Sequence, residues 1–213
     1  MTGKRRMQIA AGLLLTLGVA LLPLGAWGRA YSGLGRLIGG EAFWWIAVVV
    51  ALLYVALVER RGFASIGLRR PKIPDLVLAA GAGVLMVVGI IAIYQGLFPL
   101  LHLKMNASEM KSLIQTPLWY RLILVTRAAV AEELMFRGYP IERIMELGGS
   151  RALAAIVSWA AFTYAHLANW GTAQLIVAGY GGAILTALYL WRRNLWANML
   201  AHWIADGARF LLR

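Results

Sequence analysis

Long apolar runs constrain the fold of this chain more than any other feature. Hydrophobic residues make up 61% of its 213 residues, charged residues only 14%, and the mean hydropathy is +0.71. A soluble domain of this length would need more polar surface. The runs lack the period-two alternation of a transmembrane β-barrel, and helices are the other structure that satisfies its backbone in lipid. The sequence therefore predicts an all-α, polytopic transmembrane helix bundle.

The apolar segments approach the roughly 17–25 residues with which a helix crosses a bilayer, and we expect about seven spans, roughly six to eight. The predicted spans are 7–24, 42–58, 75–101, 117–140, 151–169, 172–190 and 195–212. The first follows three basic residues and has a second interpretation, a signal peptide. The stretch after it, PLGAWGRAYSG, is a poor cleavage region but a reasonable loop. The second span, AFWWIAVVVALLYVALV, is expected to be a lipid-facing anchor.

The net charge of +12 is distributed as a membrane topology predicts. With a cytoplasmic N-terminus, the inner ends and loops hold Lys4, Arg5, Arg6, Arg60, Arg61, Arg69, Arg70, Lys72, Arg137, Arg143, Arg151, Arg192 and Arg193. The outer ends and loops hold only Arg29, Arg36, Lys104, Lys111 and Arg213. This bias follows the positive-inside rule. Membrane topology therefore accounts for the positive charge, and we expect no nucleic-acid partner. The basic face also suits anionic lipid headgroups.

Cysteine is absent, which excludes thiol nucleophiles, disulfides and thiolate metal sites. No repeat of 20–50 residues divides the chain, so we expect one membrane domain over residues 1–213. Arg greatly outnumbers Lys, which favours a GC-rich prokaryote and hence its inner or plasma membrane. No feature of the sequence sets the oligomeric state.

Two adjacent carboxylates interrupt the fourth span, in the stretch AEELMFRGYP. Glu133 and Arg137 are four residues apart, so they share a helix face and form an ion pair. Glu132 is rotated by about 100° around the helix from Glu133. Arg137 can therefore hold the carboxylate of Glu133 while the carboxylate of Glu132 points in another direction. The alternative is a helix end at the surface with a solvated charge cluster. Buried ionisable groups are costly in lipid and usually functional.

Polar residues also mark the fifth and seventh spans. FTYAH places Phe162 and His166 four residues apart, although a lone histidine at a helix end is more often interfacial than catalytic. NMLAHWIAD places Asn198, His202 and Asp206 on one stripe, which we expect to face the bundle interior.

A depth estimate tests whether these groups meet. Glu132 and His166 each lie about 25 Å along their helices from the turn between them, at 1.5 Å per residue. His202 lies about 13 Å beyond the turn at Arg192 and Arg193. The three side chains are therefore expected at one level inside the membrane.

Three motifs together resemble a known family. EELMFR matches Glu-Glu-x-x-x-Arg, FTYAH matches Phe-x-x-x-His, and HWIAD is close to His-x-x-x-Asn. In that order the chain resembles the CPBP family of intramembrane proteases, which includes CAAX prenyl endopeptidases and bacteriocin-processing or immunity proteins. The resemblance covers residues 113–213 and implies a four-helix catalytic core there, preceded by accessory spans and a basic linker over 1–112. Asp206 stands where the family often has Asn.

The resemblance implies an endopeptidase whose catalytic residues are Glu132, Glu133, Arg137, His166, His202 and Asp206. Glu132 and His166 would activate water, His202 would polarise the carbonyl or stabilise the oxyanion, and Arg137 would hold Glu133. Ionised Asp206 cannot donate a hydrogen bond, so it would orient His202 or bind a metal.

The metal question stays open at the level of sequence. Two histidines and a carboxylate, His166, His202 and Glu132, form a plausible ligand set for a divalent ion such as zinc. The zinc-protease motif His-Glu-x-x-His is absent. We favour catalysis by Glu132 without a cofactor.

Two interpretations from other classes use the same polar groups. A small proton-coupled transporter or channel would use Glu132, His166 and Asp206 as a relay, but the chain shows no inverted repeat. A non-catalytic membrane scaffold would keep the polar core without turnover. For an enzyme, we expect a peptide or membrane-protein substrate, because prenylated CAAX proteins are uncommon in prokaryotes.

Overall fold

The described part of the chain consists of helices and the turns between them, without strands. The computed structural model describes residues 1–22, 33–104 and 107–212. Most of the predicted loop PLGAWGRAYSG, with Arg29, and the terminal Arg213 lie outside the described residues, as does the side chain of Arg36. The helices are α1 (Gly3–Leu13), α2 (Gly33–Leu53), α3 (Ile73–Ala92), α4 (Ala107–Ile114), α5 (Leu118–Glu132, continuing as Tyr139–Glu146), α6 (Arg151–Ala165), α7 (Gln174–Arg192) and α8 (Leu195–Phe210).

Several of these helices contain π-helical turns. They are Leu14–Gly18 after α1, Tyr54–Val58 after α2, Ile93–Leu97 after α3 and Glu133–Gly138 inside α5. Shorter pieces complete the path: Phe63–Ile66, a 3₁₀ turn in the basic linker, Phe98–Leu100 at the end of α3, and Leu167–Trp170 after α6.

The predicted helical membrane bundle is confirmed. Among the described residues, three helical stretches are long and apolar enough to cross a bilayer: Ile38–Val58, Ile73–Leu100 and Gln174–Arg192. The other predicted spans also contain helices, but α1 begins with basic residues, α5 carries the site's charges, and α6 and α8 are shorter. The total number of crossings therefore stays a prediction.

Local sequence explains where the helices begin. The side chain of Asn194 accepts a hydrogen bond from the backbone N of Trp196 at 3.0 Å, which caps α8. Ser150 caps α6 in the same way through the N of Leu153. At the start of α3, Pro74 occupies the first turn and Asp75 accepts from the backbone N of Lys72 at 2.8 Å.

Glycines set the closest helix contacts, as is usual in membrane bundles. Helix α3 packs along α8, where a Cβ on Gly83 would lie only 2.8 Å from the Cβ of Ile204. Helix α7 packs on α6, where a Cβ on Gly182 would lie 2.9 Å from the ring of Phe162. These contacts bring α6, α7 and α8 around the polar middle of α5.

One end of the bundle is held by buried ion pairs, and we name it the ion-paired end. Arg143 donates through Nε to both oxygens of Glu59, at 3.1 and 3.0 Å, and the hydroxyl of Tyr139 donates to the same carboxylate at 3.0 Å. Arg5 lies 3.2 Å from Glu59 and donates to Glu146. The cluster joins the start of α1, the residue after α2 and the end of α5.

A second group of ion pairs at this end joins α3, α5, α7 and α8. Arg192 donates to Asp75 at 2.7 Å, and Asn194 donates to the same carboxylate at 3.3 Å. Glu142 is paired with Arg193 and accepts from the hydroxyl of Tyr189 at 2.9 Å. Helices α1, α3, α6 and α8 therefore begin at this end, whereas α2, α5 and α7 finish there. It is the end for which the charge bias predicts a cytoplasmic position.

Candidate active site

The polar part of α5 coincides with its π turn, Glu133–Gly138. A π turn changes the direction of the side chains around it and is frequent at functional sites. Its apolar members Leu134, Met135 and Phe136 are buried in the main core. The turn leaves Glu133 and Arg137 inside the protein and Glu132 on the wall of a cavity.

Glu133 is fully buried and accepts three hydrogen bonds. Arg137 Nη1 donates to Oε1 at 2.8 Å, which confirms the predicted ion pair. Asn198 Nδ2 donates to Oε2 at 3.0 Å. His202 Nδ1 lies 2.8 Å from Oε1, and because the paired carboxylate is an acceptor, this ring nitrogen carries a proton. Glu133 therefore fixes the tautomer and orientation of His202.

Arg137 is also fully buried, and aromatic and backbone groups complete its surroundings. Its guanidinium lies over the ring of Phe162, 3.9 Å from the centroid, in a cation–π contact. Its Nη2 points to the carbonyl oxygen of Gly182 at 3.5 Å. Phe162 also contacts the rings of His166 and His202, at centroid distances of 4.5 and 6.2 Å. One phenylalanine thus contacts the buried arginine and both histidines.

Glu132 and His166 form the second polar pair, on the cavity wall. His166 Nε2 lies 3.9 Å from Glu132 Oε2, longer than a direct hydrogen bond. His166 Nδ1 lies 2.8 Å from the carbonyl oxygen of Phe162, which can only accept, so Nδ1 carries a proton. In the neutral ring the lone pair on Nε2 then faces Glu132. Oε2 of Glu132 is buried and has no hydrogen-bond partner within the described part of the chain.

Asp206 lies beside the other ring nitrogen of His202. The distance from His202 Nε2 to Asp206 Oδ2 is 3.5 Å. His202 is therefore flanked by two carboxylates, Glu133 and Asp206. This geometry fits the interpretation that Asp206 orients His202.

A cavity of about 360 Å³ joins these groups. Glu132, His166, His202 and Asp206 line it, whereas Glu133 and Arg137 lie behind its wall. Glu132, His166 and His202, predicted to meet, thus line one cavity. Of the six residues predicted as catalytic, Glu133 and Arg137 are the two that do not line the cavity.

The cavity lies in the half of the bundle away from the ion-paired end. Its wall includes the first part of α2, the ends of α6 and α8 and the start of α7, through Glu41, Trp44, His166, Gln174 and Phe210. Each of these helix ends is opposite to the end held by the ion pairs.

The second span, expected to be a lipid-facing anchor, is a candidate membrane helix whose first turns also line the cavity. Glu41 near the start of α2 lines the cavity and accepts from Arg127 Nε at 3.2 Å, and Arg127 Nη1 lies 3.8 Å from Glu132. Trp44 lies 5.6 Å from the same guanidinium. The available signal was an acidic residue just before the apolar run, which the predicted span boundary at 42 left out.

Glu132, His166 and His202, the expected ligand set for a metal ion, all line the cavity. Among the residues that the structure describes, no three His, Cys, Asp or Glu side chains converge to hold an ion. The reason is the orientation of His202, whose two nitrogens face Glu133 and Asp206.

Comparison with known proteins gives one match, to part of the chain. Residues 114–208 match the family described as type II CAAX prenyl endopeptidase Rce1-like. Comparisons with curated proteins and with solved structures give no match. The matched region runs from the end of α4 to α8 and includes Glu132, Glu133, Arg137, His166, Asn198, His202 and Asp206. Residues 114–208 of this helical membrane protein therefore match the CAAX protease family that the three motifs predicted.

Proposed function

We propose that the protein is an intramembrane endopeptidase that hydrolyses a peptide bond with water activated by Glu132 and His166. The observation that carries this proposal is the pair of atoms Glu132 Oε2 and His166 Nε2, 3.9 Å apart on the cavity wall. A water molecule about 2.8 Å from each atom fits between two acceptors at that separation. Both of its protons are then directed at bases, and its lone pairs are free to attack.

The chemistry needs a base, an oxyanion donor and an acid. As the water oxygen bonds to the carbonyl carbon, Glu132 takes its proton. The C–N bond then breaks, and Glu132 returns the proton to the leaving amine. His166 holds the water through Nε2, while the bond from Nδ1 to the carbonyl of Phe162 keeps its ring in place.

His202 fits the role of oxyanion donor. Its Nδ1–H is held by Glu133, so the other nitrogen, Nε2, is the one that the cavity can use. The two carboxylates beside the ring stabilise its doubly protonated form, in which Nε2 donates to the developing negative charge. Asn198 and Arg137 hold Glu133, and through it His202, without touching the substrate.

We propose that the reaction needs no metal, and chelation tests this. In membranes reconstituted with the purified enzyme, cleavage of a peptide substrate should survive a strong chelator. Loss of cleavage on chelation, with recovery only on addition of zinc or manganese, would assign the activity to a bound ion.

The substrate is proposed to be a peptide or membrane protein that reaches the cavity from outside the cytoplasm. The charge bias predicts that the ion-paired end is cytoplasmic, and the cavity lies in the opposite half. Since the chain has no cysteine, single cysteines at Arg60 and Leu212 report each end without background. Labelling of Arg60→Cys by an impermeant reagent on intact cells would reverse this orientation. Peptide profiling of membranes with active and Glu132→Gln protein would identify the substrate.

A further inference from the structure

An arginine on the cavity wall lies between two carboxylates. Arg127 Nε donates to Oε2 of Glu41 at 3.2 Å, and its Nη1 lies 3.8 Å from Oε1 of Glu132. The side chains of Arg127, Glu41 and Glu132 are only 13%, 12% and 16% exposed. Charges in such surroundings interact more strongly than charges on a solvated surface. Arg127 therefore links the proposed catalytic base to a carboxylate on another helix.

The spacing of Arg127 and Glu132 along α5 does not by itself bring them together. Five residues of an α-helix correspond to one full turn plus about 140°, and to a rise of about 7.5 Å, so the two side chains leave α5 on different faces. Helix α2 packs on α5 and supplies two groups that hold the guanidinium in the direction of Glu132. These groups are the carboxylate of Glu41 and the ring of Trp44, whose centroid lies 5.6 Å from the guanidinium carbon. The position of Arg127 therefore depends on a helix outside the matched region 114–208.

The two oxygens of Glu132 face different groups. Oε1 faces Nη1 of Arg127, whereas Oε2 lies 3.9 Å from Nε2 of His166. The terminal torsion of a glutamate has a broad range of allowed angles, so a contact from outside is needed to fix the plane of the carboxylate. An arginine beside Oε1 leaves Oε2 directed at the position proposed for the attacking water. Arg127 is thus placed to set the direction in which the base points.

We propose that Arg127 is a positioning residue for the carboxylate of Glu132, and that Glu41 holds Arg127 in place from the accessory helix α2. Arg127 acts through Glu132, and Glu41 acts through Arg127, so neither has to touch the reacting atoms. Without Arg127 the carboxylate is free to rotate away from the attacking water. The N-terminal part of the chain therefore contributes to the geometry of the active site as well as to the bundle. This inference rests on the proposed endopeptidase activity, in which Glu132 is the base.

Cleavage kinetics test the positioning role. The assay uses the purified protein in proteoliposomes and a quenched fluorogenic peptide that carries a cleavage site found by peptide profiling, with rates divided by the amount of folded protein. We expect Arg127→Gln to lower kcat by about 10- to 100-fold, as for a misplaced catalytic group, with KM little changed. Arg127→Lys keeps the positive charge and should recover part of this loss. Arg70→Gln, at an exposed position in the linker, is the control and should cleave as the wild type does.

A second variant tests whether Glu41 acts through Arg127. Glu41→Gln alone should lower kcat less than Arg127→Gln does, and adding it to Arg127→Gln should cause no further loss. An unchanged kcat per folded Arg127→Gln protein, a Lys variant no more active than the Gln variant, or losses that multiply in the double variant would each overturn the proposal. If Arg127→Gln is not recovered folded, Glu41→Gln carries the test alone, and an unchanged kcat of this variant would overturn the proposal.

Thermal unfolding tests the contact between Arg127 and Glu132 without any cleavage. In the Arg127→Gln protein, or in Arg127→Lys to a smaller extent, Glu132→Gln removes a carboxylate that has lost its cation, and should therefore raise the melting temperature relative to its effect in the wild type. Equal effects of Glu132→Gln in both backgrounds would show that the two residues do not interact and would overturn the inference. If Glu132→Gln still cleaves the peptide, the proposed mechanism fails, while the melting comparison still decides whether Arg127 holds Glu132.

Discussion

Two neighbouring glutamates at positions 132 and 133 have different surroundings. Glu133 is fully buried between Arg137, Asn198 and His202. Glu132 lies on the cavity wall, and one of its oxygens has no hydrogen-bond partner within the described residues. A carboxylate with three donors is fixed in place, whereas one without a donor is free to accept a proton. The two residues are therefore expected to respond differently to the same substitution.

For these two residues we predict that Glu133→Gln destabilises the protein and Glu132→Gln does not. The first change leaves Arg137 buried without its carboxylate, and breaking a buried pair costs about 3–5 kcal/mol. The second removes a base and no ion pair shorter than 3.8 Å. Thermal unfolding of the purified variants in detergent and cleavage of a peptide are the two measurements. Equal melting temperatures with equal residual activity would contradict this division.

Between elements, the site depends on how closely the helices approach. Helix α8 carries His202 and Asp206 and packs against α3 at Gly83. Helices α6 and α7 meet at Gly182, whose carbonyl faces Arg137 and whose Cα faces Phe162. Inside a bilayer the lipid tails are as apolar as the side chains, so the hydrophobic effect does not drive the helices together. Tight packing at small residues therefore contributes much of the free energy of helix association.

We predict that Gly83→Ala lowers the melting temperature and Gly81→Ala does not. A Cβ at position 83 would be 2.8 Å from Ile204 and 3.1 Å from the backbone oxygen of Ala201, whereas a Cβ at position 81 meets nothing within 4 Å. Overpacking typically costs about 1–3 kcal/mol, and both variants share the gain in helix propensity. Differential scanning fluorimetry compares the pair. A Gly83→Ala protein as stable as Gly81→Ala would show that α3 and α8 are not in close contact.

The two ends of the whole molecule differ in structure, because ion pairs hold one end and the cavity lies towards the other. The ion-paired end ties the starts or finishes of seven helices together, and the cavity occupies the opposite half. Glu146 belongs to the first end and lies outside the predicted spans. Partial burial alone would raise the pKa of Glu146, but hydrogen bonds from Arg5 and Arg61 hold it below its ordinary value. Those bonds join α1 and the linker to α5.

The lowered pKa predicts how stability depends on pH. A carboxyl whose pKa is lower in the folded state stabilises the fold above its unfolded pKa, and this contribution is lost as pH falls through the folded value. The window therefore begins near the ordinary value of 4.5 and extends below it. At pH 7 we expect Glu146→Gln to cost at most about 1 kcal/mol, or roughly 2–4 °C.

Melting curves of the wild type and Glu146→Gln from pH 7 to pH 3 measure this contribution. The difference between the two proteins should shrink below pH 4.5 as the wild-type carboxyl is protonated. A difference that stays constant over the whole range would show that Glu146 contributes through packing and not through charge.

Much of the architecture is set by local sequence. Hydropathy predicts the membrane helices because each helix satisfies its own backbone in lipid. The pair of Glu133 and Arg137 is predictable because four residues make about one turn. The three motifs predicted the family whose model residues 114–208 match, and helix rise predicted that Glu132 and His166 come close together.

Other features depend on contacts between residues that are distant in sequence, and only the tertiary structure decides them. Asn198 and Gly182 complete the surroundings of Glu133 and Arg137 from two other helices. Glu41 reaches the cavity from a helix that looked like a plain anchor. The orientation of His202 between Glu133 and Asp206, which leaves no three-residue metal site in the described chain, also follows from packing. Local periodicity fixes which face a side chain occupies, but the neighbour that it meets there depends on how the helices pack together.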